Sequence, residues 1–192
     1  EASDYSDFRC TAVKNELEVL RGCRDLLVDP LPRGGGTDAR PTASMTIVRI
    51  LERFKPVARA LRDRRAGRVP LLVADEYDVQ YLLHALLSVD FDDVRAEEQA
   101  PSFAGLAPRL DFLLKQERIV LEAKMVRDAG HAKKVSGELI DDAARYRAHP
   151  DCGELICFVW DPLSLIPNPV AFARDLEKIP GPPAIRVVVG PR

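Results

Sequence analysis

Long hydrophobic runs are missing from this 192-residue chain. No stretch approaches the ~18 consecutive apolar residues of a membrane-spanning helix, so no membrane association is expected. A dominant charge sign is missing too. Lys plus Arg total 28 against 30 Asp plus Glu, a net charge of −2, which excludes a wholly basic, histone-like binder. Cysteine is sparse. Cys10, Cys23, Cys152 and Cys157 form no CxxC pair and are too few for a disulfide scaffold of this length. They read as buried or incidental thiols of a cytoplasmic protein. No secretory signal pattern opens the chain, which starts on Glu1, and a larger parent protein is expected. His84, His131 and His149 share no metal-ligand spacing and read as structural. Gly34, Gly35 and Gly36 lack the Lys-Ser/Thr that completes a phosphate-cradling loop.

What remains is ample for a core. Apolar types make up 46% of the chain, too many for disorder. One domain with an extension fits this length. Ser6 or Asp7 can cap a first helix whose stripe of Val13, Leu17, Leu20 and Leu27 ends near Val28. A Gly/Pro-rich break follows, with Pro30, Pro32, Gly34, Gly35, Gly36 and Pro41. The expected division is a helical segment over 1–31, a linker over 32–44 and a domain over 45–192. That domain opens on a helical pattern, Met45 to Arg65, which Pro56 should kink or split.

Then the texture alternates. Asp75 can cap a helix over Glu76–Ser88. Strands are expected at Asp93–Glu98, Arg109–Lys115 and Arg118–Val126, with a loop over Ala100–Pro108 between the first two. A helix over Ala132–Ala148, a strand at Glu154–Trp160, a helix at Val170–Glu177 and a strand at Ile185–Val189 complete the order. The expected fold class is therefore α/β, with a mixed central sheet flanked by helices.

The near-zero net charge hides a division. From Arg49 to Arg68 eight basic residues face two acidic ones, a local +6. From Asp75 to Glu98 eight acids face Arg95, a local −7. Arg53, Arg59 and Arg62 on the basic helix, with Lys133 and Lys134 farther on, are candidates for phosphate contacts, which are salt-sensitive and indifferent to sequence. A solvated surface or a homodimer face would carry the same charges.

The second and third strands hold the most informative residues. Only Gln116 and Glu117 separate Lys115 from Arg118, which fits a two-residue hairpin. Pairing Lys115 with Arg118 sets Asp111 opposite Glu122 and Arg109 opposite Lys124. Side chains alternate faces, so Leu110, Phe112 and Leu114 join Ile119, Leu121 and Ala123 on an apolar face. Asp111, Glu122 and Lys124 share the other. Directly opposed like charges destabilise a sheet. A divalent cation between Asp111 and Glu122 would offset that cost, and Mg2+ is commonly held by one or two carboxylates plus water and phosphate. Lys124 could orient a water or stabilise charge on a phosphate. A solvated hairpin face with local salt bridges is the alternative.

Asp111 followed by Glu122, Ala123 and Lys124 on the next strand, inside an αβββαβ order, resembles the PD-(D/E)XK nuclease superfamily, the restriction-endonuclease-like fold. Pro108 stands three residues before Asp111 rather than next to it. The segments Asp75–Gln80, Phe91–Arg95, Pro101–Gly105 and Phe158–Pro162 look like a bacterial branch of that superfamily, and the likeness spans Val69 to Val189. The resemblance implies a restriction-endonuclease-like core and metal-dependent hydrolysis of phosphodiester bonds. DNA is favoured over RNA, with Mg2+ as cofactor and Mn2+ able to substitute. It implies Asp111, Glu122 and Lys124 as catalytic residues. Asp111 and Glu122 would hold the metal with the Ala123 carbonyl. Glu76 is a third acid that is either a metal or water holder or simply the first-turn acid of its helix. Asp142 and Tyr146 resemble the Gln-x-x-x-Tyr pair of exonuclease-like members, with Asp in place of Gln, and Glu138 sits one turn earlier. Glu97 and Glu98 add negative field or end a strand in solvent. The implied role is the effector of a larger bacterial defence protein. The rival is a catalytically inactive nucleic-acid-binding or assembly module on the same fold.

Overall fold

The structure is a computed structural model and describes residues 41–98, 109–147 and 149–190. The expected N-terminal helix, most of the linker and the loop at Ala100–Pro108 lie outside the described residues.

Thr42 caps the first described helix, its hydroxyl accepting from the Met45 amide at 3.3 Å. Helix α1 covers Ala43–Glu52 and α2 covers Phe54–Arg62. The expected split is present, three residues before Pro56. A proline ring collides with the carbonyl four residues back and offers no N–H to it, so the first helix ends at that residue, Glu52. Helix α3, Glu76–Leu87, begins at Asp75, whose carboxylate accepts from the Asp78 amide at 3.0 Å. Strands β1 (Val94–Ala96), β2 (Phe112–Leu114) and β3 (Ile119–Met125) follow. A short helix α4, Ala129–Ala132, was not foreseen. Asp128 caps it, its Oδ1 accepting from the His131 amide at 2.8 Å, which starts helical turns early. Then come α5 (Val135–Tyr146), β4 (Glu154–Trp160), α6 (Pro169–Glu177) and β5 (Ala184–Gly190). No helix among the described residues is long and apolar enough to cross a membrane.

The five strands form one mixed sheet in the order β1-β2-β3-β4-β5. The β1–β2 and β2–β3 pairs are antiparallel, while β3–β4 and β4–β5 are parallel, each over seven residue pairs. Helices cover both faces. On one, Phe54 packs its ring 5.1 Å from Phe158 and 4.9 Å from Trp160, and His84 of α3 lies against Phe112. On the other, Val135, Leu139, Ala143 and Tyr146 of α5 meet Val120, Leu155, Cys157 and Val159. A sheet clad on both faces needs strands apolar on both sides. Glu154–Trp160, nearly all apolar and buried, meets that need.

The hairpin keeps the expected register, since Leu114 pairs with Ile119 and Phe112 with Leu121. Three expectations change. The ladder is short, so β2 does not reach Asp111 and Arg109 never faces Lys124; Arg109 instead meets Glu97 at 3.4 Å. The chain bends at Asp111, which sends Leu110 to the face of Leu113 and Val120 rather than that of Phe112. That face is not solvated either: Leu113, Val120 and Glu122 are all buried beneath α5.

Candidate active site

Beyond Leu121 the outer edge of β3 has lost its partner strand, and side chains take over. Along this strand the N–H groups of Ala123 and Met125 point to that edge, away from β4. An Oδ2 of Asp111 accepts the Ala123 N–H at 2.8 Å. Glu76, in the first turn of α3, accepts the Met125 N–H through Oε2 at 3.1 Å. Two carboxylates thus stand where a strand would have supplied carbonyls, which satisfies amides that burial would otherwise make costly. In an extended strand the N–H and C=O of one residue face the same side, so Ala123 presents its carbonyl there as well.

Asp111 is also held from α3. Gln80 donates from Nε2 to Asp111 Oδ1 at 2.8 Å. Sequence reasoning missed Gln80. The available signal was its spacing, four residues after Glu76, which places both on one helix face.

Glu122 is 3% exposed and points under α5. Its Oε1 receives Lys124 Nζ at 2.7 Å and its Oε2 receives the Tyr146 hydroxyl at 2.7 Å. Lys124 Nζ also lies 3.3 Å from Asp142 Oδ2. Burial, partly countered by the Ala123 amide, pushes the Asp111 carboxyl up to about 6. Burial first, then the negative charge of Asp111, pushes Glu122 up to about 8. Burial works against the charge of Lys124, but Glu122, followed by Asp142 and Asp111, outweighs it and holds the ammonium above its ordinary range. The three groups are therefore one charge cluster of acid, acid and lysine, short of positive charge.

Among the described residues no group of three or more His, Cys, Asp and Glu side chains is arranged to hold a metal ion. The chemistry of the donor set nonetheless suits a small hard cation: a buried and a half-buried carboxylate that repel each other, with a backbone carbonyl on the same edge. Glu76 lies close enough that its charge adds to the rise of Asp111.

The remaining candidates lie elsewhere. Arg59 and Arg62 are exposed and share Asp63, at 3.4 and 2.9 Å. Arg53 is half-buried at the break between α1 and α2. Lys133 and Lys134 are exposed between α4 and α5, and Lys134 lines an open groove with Arg127, His131 and Glu138. Glu138 is paired with His131 at 3.2 Å. Glu97 and Glu98 pair with Arg109 and Arg95 at the end of β1.

No curated protein and no solved structure matches the chain. A family model, that of the DpnII-MboI restriction endonucleases, matches residues 45–192. The matched span takes in every described strand and helix from Met45 onward, the open edge of β3 included, and the chain belongs to the DpnII-MboI family of restriction endonucleases.

Proposed function

We propose that this domain is a metal-dependent DNA nuclease whose Asp111 and Glu122, with the Ala123 carbonyl, hold Mg2+ or Mn2+, and whose Lys124 is the third catalytic residue. Bound there, the cation would polarise a phosphoryl oxygen and lower the pKa of a water. Lys124 would steady that water and the growing negative charge on the phosphate. Glu76 would assist as an outer acid beside Asp111. The observation that carries this reading is a half-buried Asp111 carboxylate beside the buried Glu122 carboxylate, with Lys124 as the cation bonded to Glu122. Burying like charges together is costly without a function or a counter-ion to set against it. Arg53, Arg59, Arg62, Lys133 and Lys134 would meet the DNA backbone. As a restriction-type nuclease the domain would serve in the cytoplasm as the effector of a larger bacterial defence protein, alone or as a homodimer.

A second reading has an observation of its own. All four carboxylate oxygens of Asp111 and Glu122 already accept hydrogen bonds from protein donors. A non-catalytic DNA-binding or assembly module would keep such a closed network.

Plasmid cleavage separates the two. The parent chain is expected to nick or linearise plasmid with Mg2+ or Mn2+ and to stop on chelation, and Asp111→Ala is expected to be inactive. Cleavage that persists in chelator would sink the metal reading. DNA binding with no cleavage in either metal would favour the second one. Arg59→Ala and Arg62→Ala are each expected to lower the slope of log affinity against log salt by about 1. An unchanged slope in both would remove α2 from the DNA interface.

A further inference from the structure

Helix α5 brings two polar side chains into the cluster that the proposed chemistry leaves without a task. Asp142 and Tyr146 stand four residues apart and so share a helix face. Both are buried, with Asp142 7% and Tyr146 1% exposed. Their neighbours toward the sheet are Val135, Leu139 and Ala143, an apolar set in which a carboxylate is out of place. Asp142 meets Lys124 through Oδ2 at 3.3 Å, and its Oδ1 takes Arg145 at 3.1 Å. Tyr146 donates to Glu122 Oε2 at 2.7 Å.

This leaves Lys124 between two acids. Its shorter contact is to Glu122, the residue that would have to give up an oxygen to a cation. Once Oε1 of Glu122 engaged a cation, the ammonium would keep Asp142 as its other carboxylate partner. The hydroxyl of Tyr146 occupies Oε2, so Oε1, the oxygen shared with Lys124, is the one left to exchange partners.

We propose that Asp142 and Tyr146 are positioning residues: Asp142 keeps the Lys124 ammonium in place when Glu122 engages a cation, and Tyr146 fixes the carboxylate plane of Glu122. The proposal rests on the catalytic reading of Asp111, Glu122 and Lys124 given above. It also explains an aspartate at this place. A neutral amide would leave Lys124 with no second counter-charge on α5.

The test uses the full chain with Asp142→Asn, Asp142→Glu and Tyr146→Phe. Each replacement nearly keeps shape or charge, and thermal melting reports its folded fraction. For each, kcat and KM are measured on duplex DNA, and Mn2+ affinity is measured by calorimetry without turnover. Asp142→Asn and Tyr146→Phe are expected to lose about 10–100-fold in kcat or metal affinity, as outer partners of a metal site do, with KM for DNA unchanged. Asp142→Glu is expected to recover part of the loss, because it restores the charge. A purely structural role would lower the melting temperature and leave kcat per folded molecule and Mn2+ affinity at parental values, which overturns the proposal. So would equal losses in Asp142→Asn and Asp142→Glu. An inactive parent overturns the nuclease reading and this proposal with it. An active parent with fully active variants overturns this proposal alone.

Discussion

Lys124→Ala is expected to lower the rate of DNA cleavage by about 10²–10³-fold, the usual loss when one donor to developing charge is removed. The side chain is only 16% exposed and lies against Glu122 and Asp142 rather than on the surface. The loss should therefore fall on kcat, with KM for DNA little changed. Lys124→Arg is not expected to rescue it. A guanidinium is planar and wider than an ammonium, and the space between Glu122 and Asp142 is shaped by a point charge. The fold should survive the alanine, since Glu122 already binds protons more readily than an ordinary carboxyl and can neutralise itself. Single-turnover cleavage with melting curves decides the matter. A folded Lys124→Ala that cuts at the parental rate would take this residue out of the chemistry.

Glu122→Gln should abolish cleavage and, at the same time, change how stability responds to pH. In the folded chain the Glu122 carboxyl rises from 4.5 to about 8. Between those values the folded state holds a proton that the unfolded state has released. Stability from this group is thus present below about pH 4.5 and lost as pH rises through about 8. Asp111, raised from 3.8 to about 6, acts in the same direction at lower pH and is present in both proteins. Lys124 is charged in both states over this window and adds no slope. A glutamine cannot ionise, although its amide would set one donor against Lys124 or Tyr146 at every pH. The melting temperature of Glu122→Gln relative to the parent should therefore climb from pH 5 to pH 8. Mg2+ should raise the parent at pH 8 and leave the variant unmoved. Parallel melting curves across that range would show that Glu122 is not held protonated by its surroundings.

Much of the fold was legible from local pattern. Glu154–Trp160 is a strand at the expected residues because a nearly continuous apolar run suits a parallel strand clad on both faces. Asp75 caps its helix as its position before an apolar stripe suggests. The hairpin register follows from the turn, and although Asp111 lies beyond the ladder and is not paired with Glu122, it stands near enough for their charges to repel. What was hidden depends on distant partners. Where β2 leaves β3, Glu76 and Gln80 step in from more than thirty residues upstream of the amide and the acid they bond. Nothing within Arg109–Lys115 announces that bend. The burial of Leu113 and Val120 depends on α5 lying over them, and the exposed-looking alternation around Glu122 gave the opposite impression. Tyr146 and Asp142 were visible as a spaced pair, but their reach to Glu122 and Lys124 is a property of packing, not of spacing.

The flank of β3 that lacks a partner strand separates two kinds of inheritance. The sheet is secured by two parallel ladders of seven pairs each. The cluster hangs on a few side-chain bonds, from Asp111 and α3 along the edge of β3 and from α5 over its face. Drift at Glu76, Gln80, Asp142 or Tyr146 would leave the ladders intact. Descendants of this scaffold can therefore lose cutting, or change it, one bond at a time while still folding, and silent and active versions should differ at the helices before they differ in the strands.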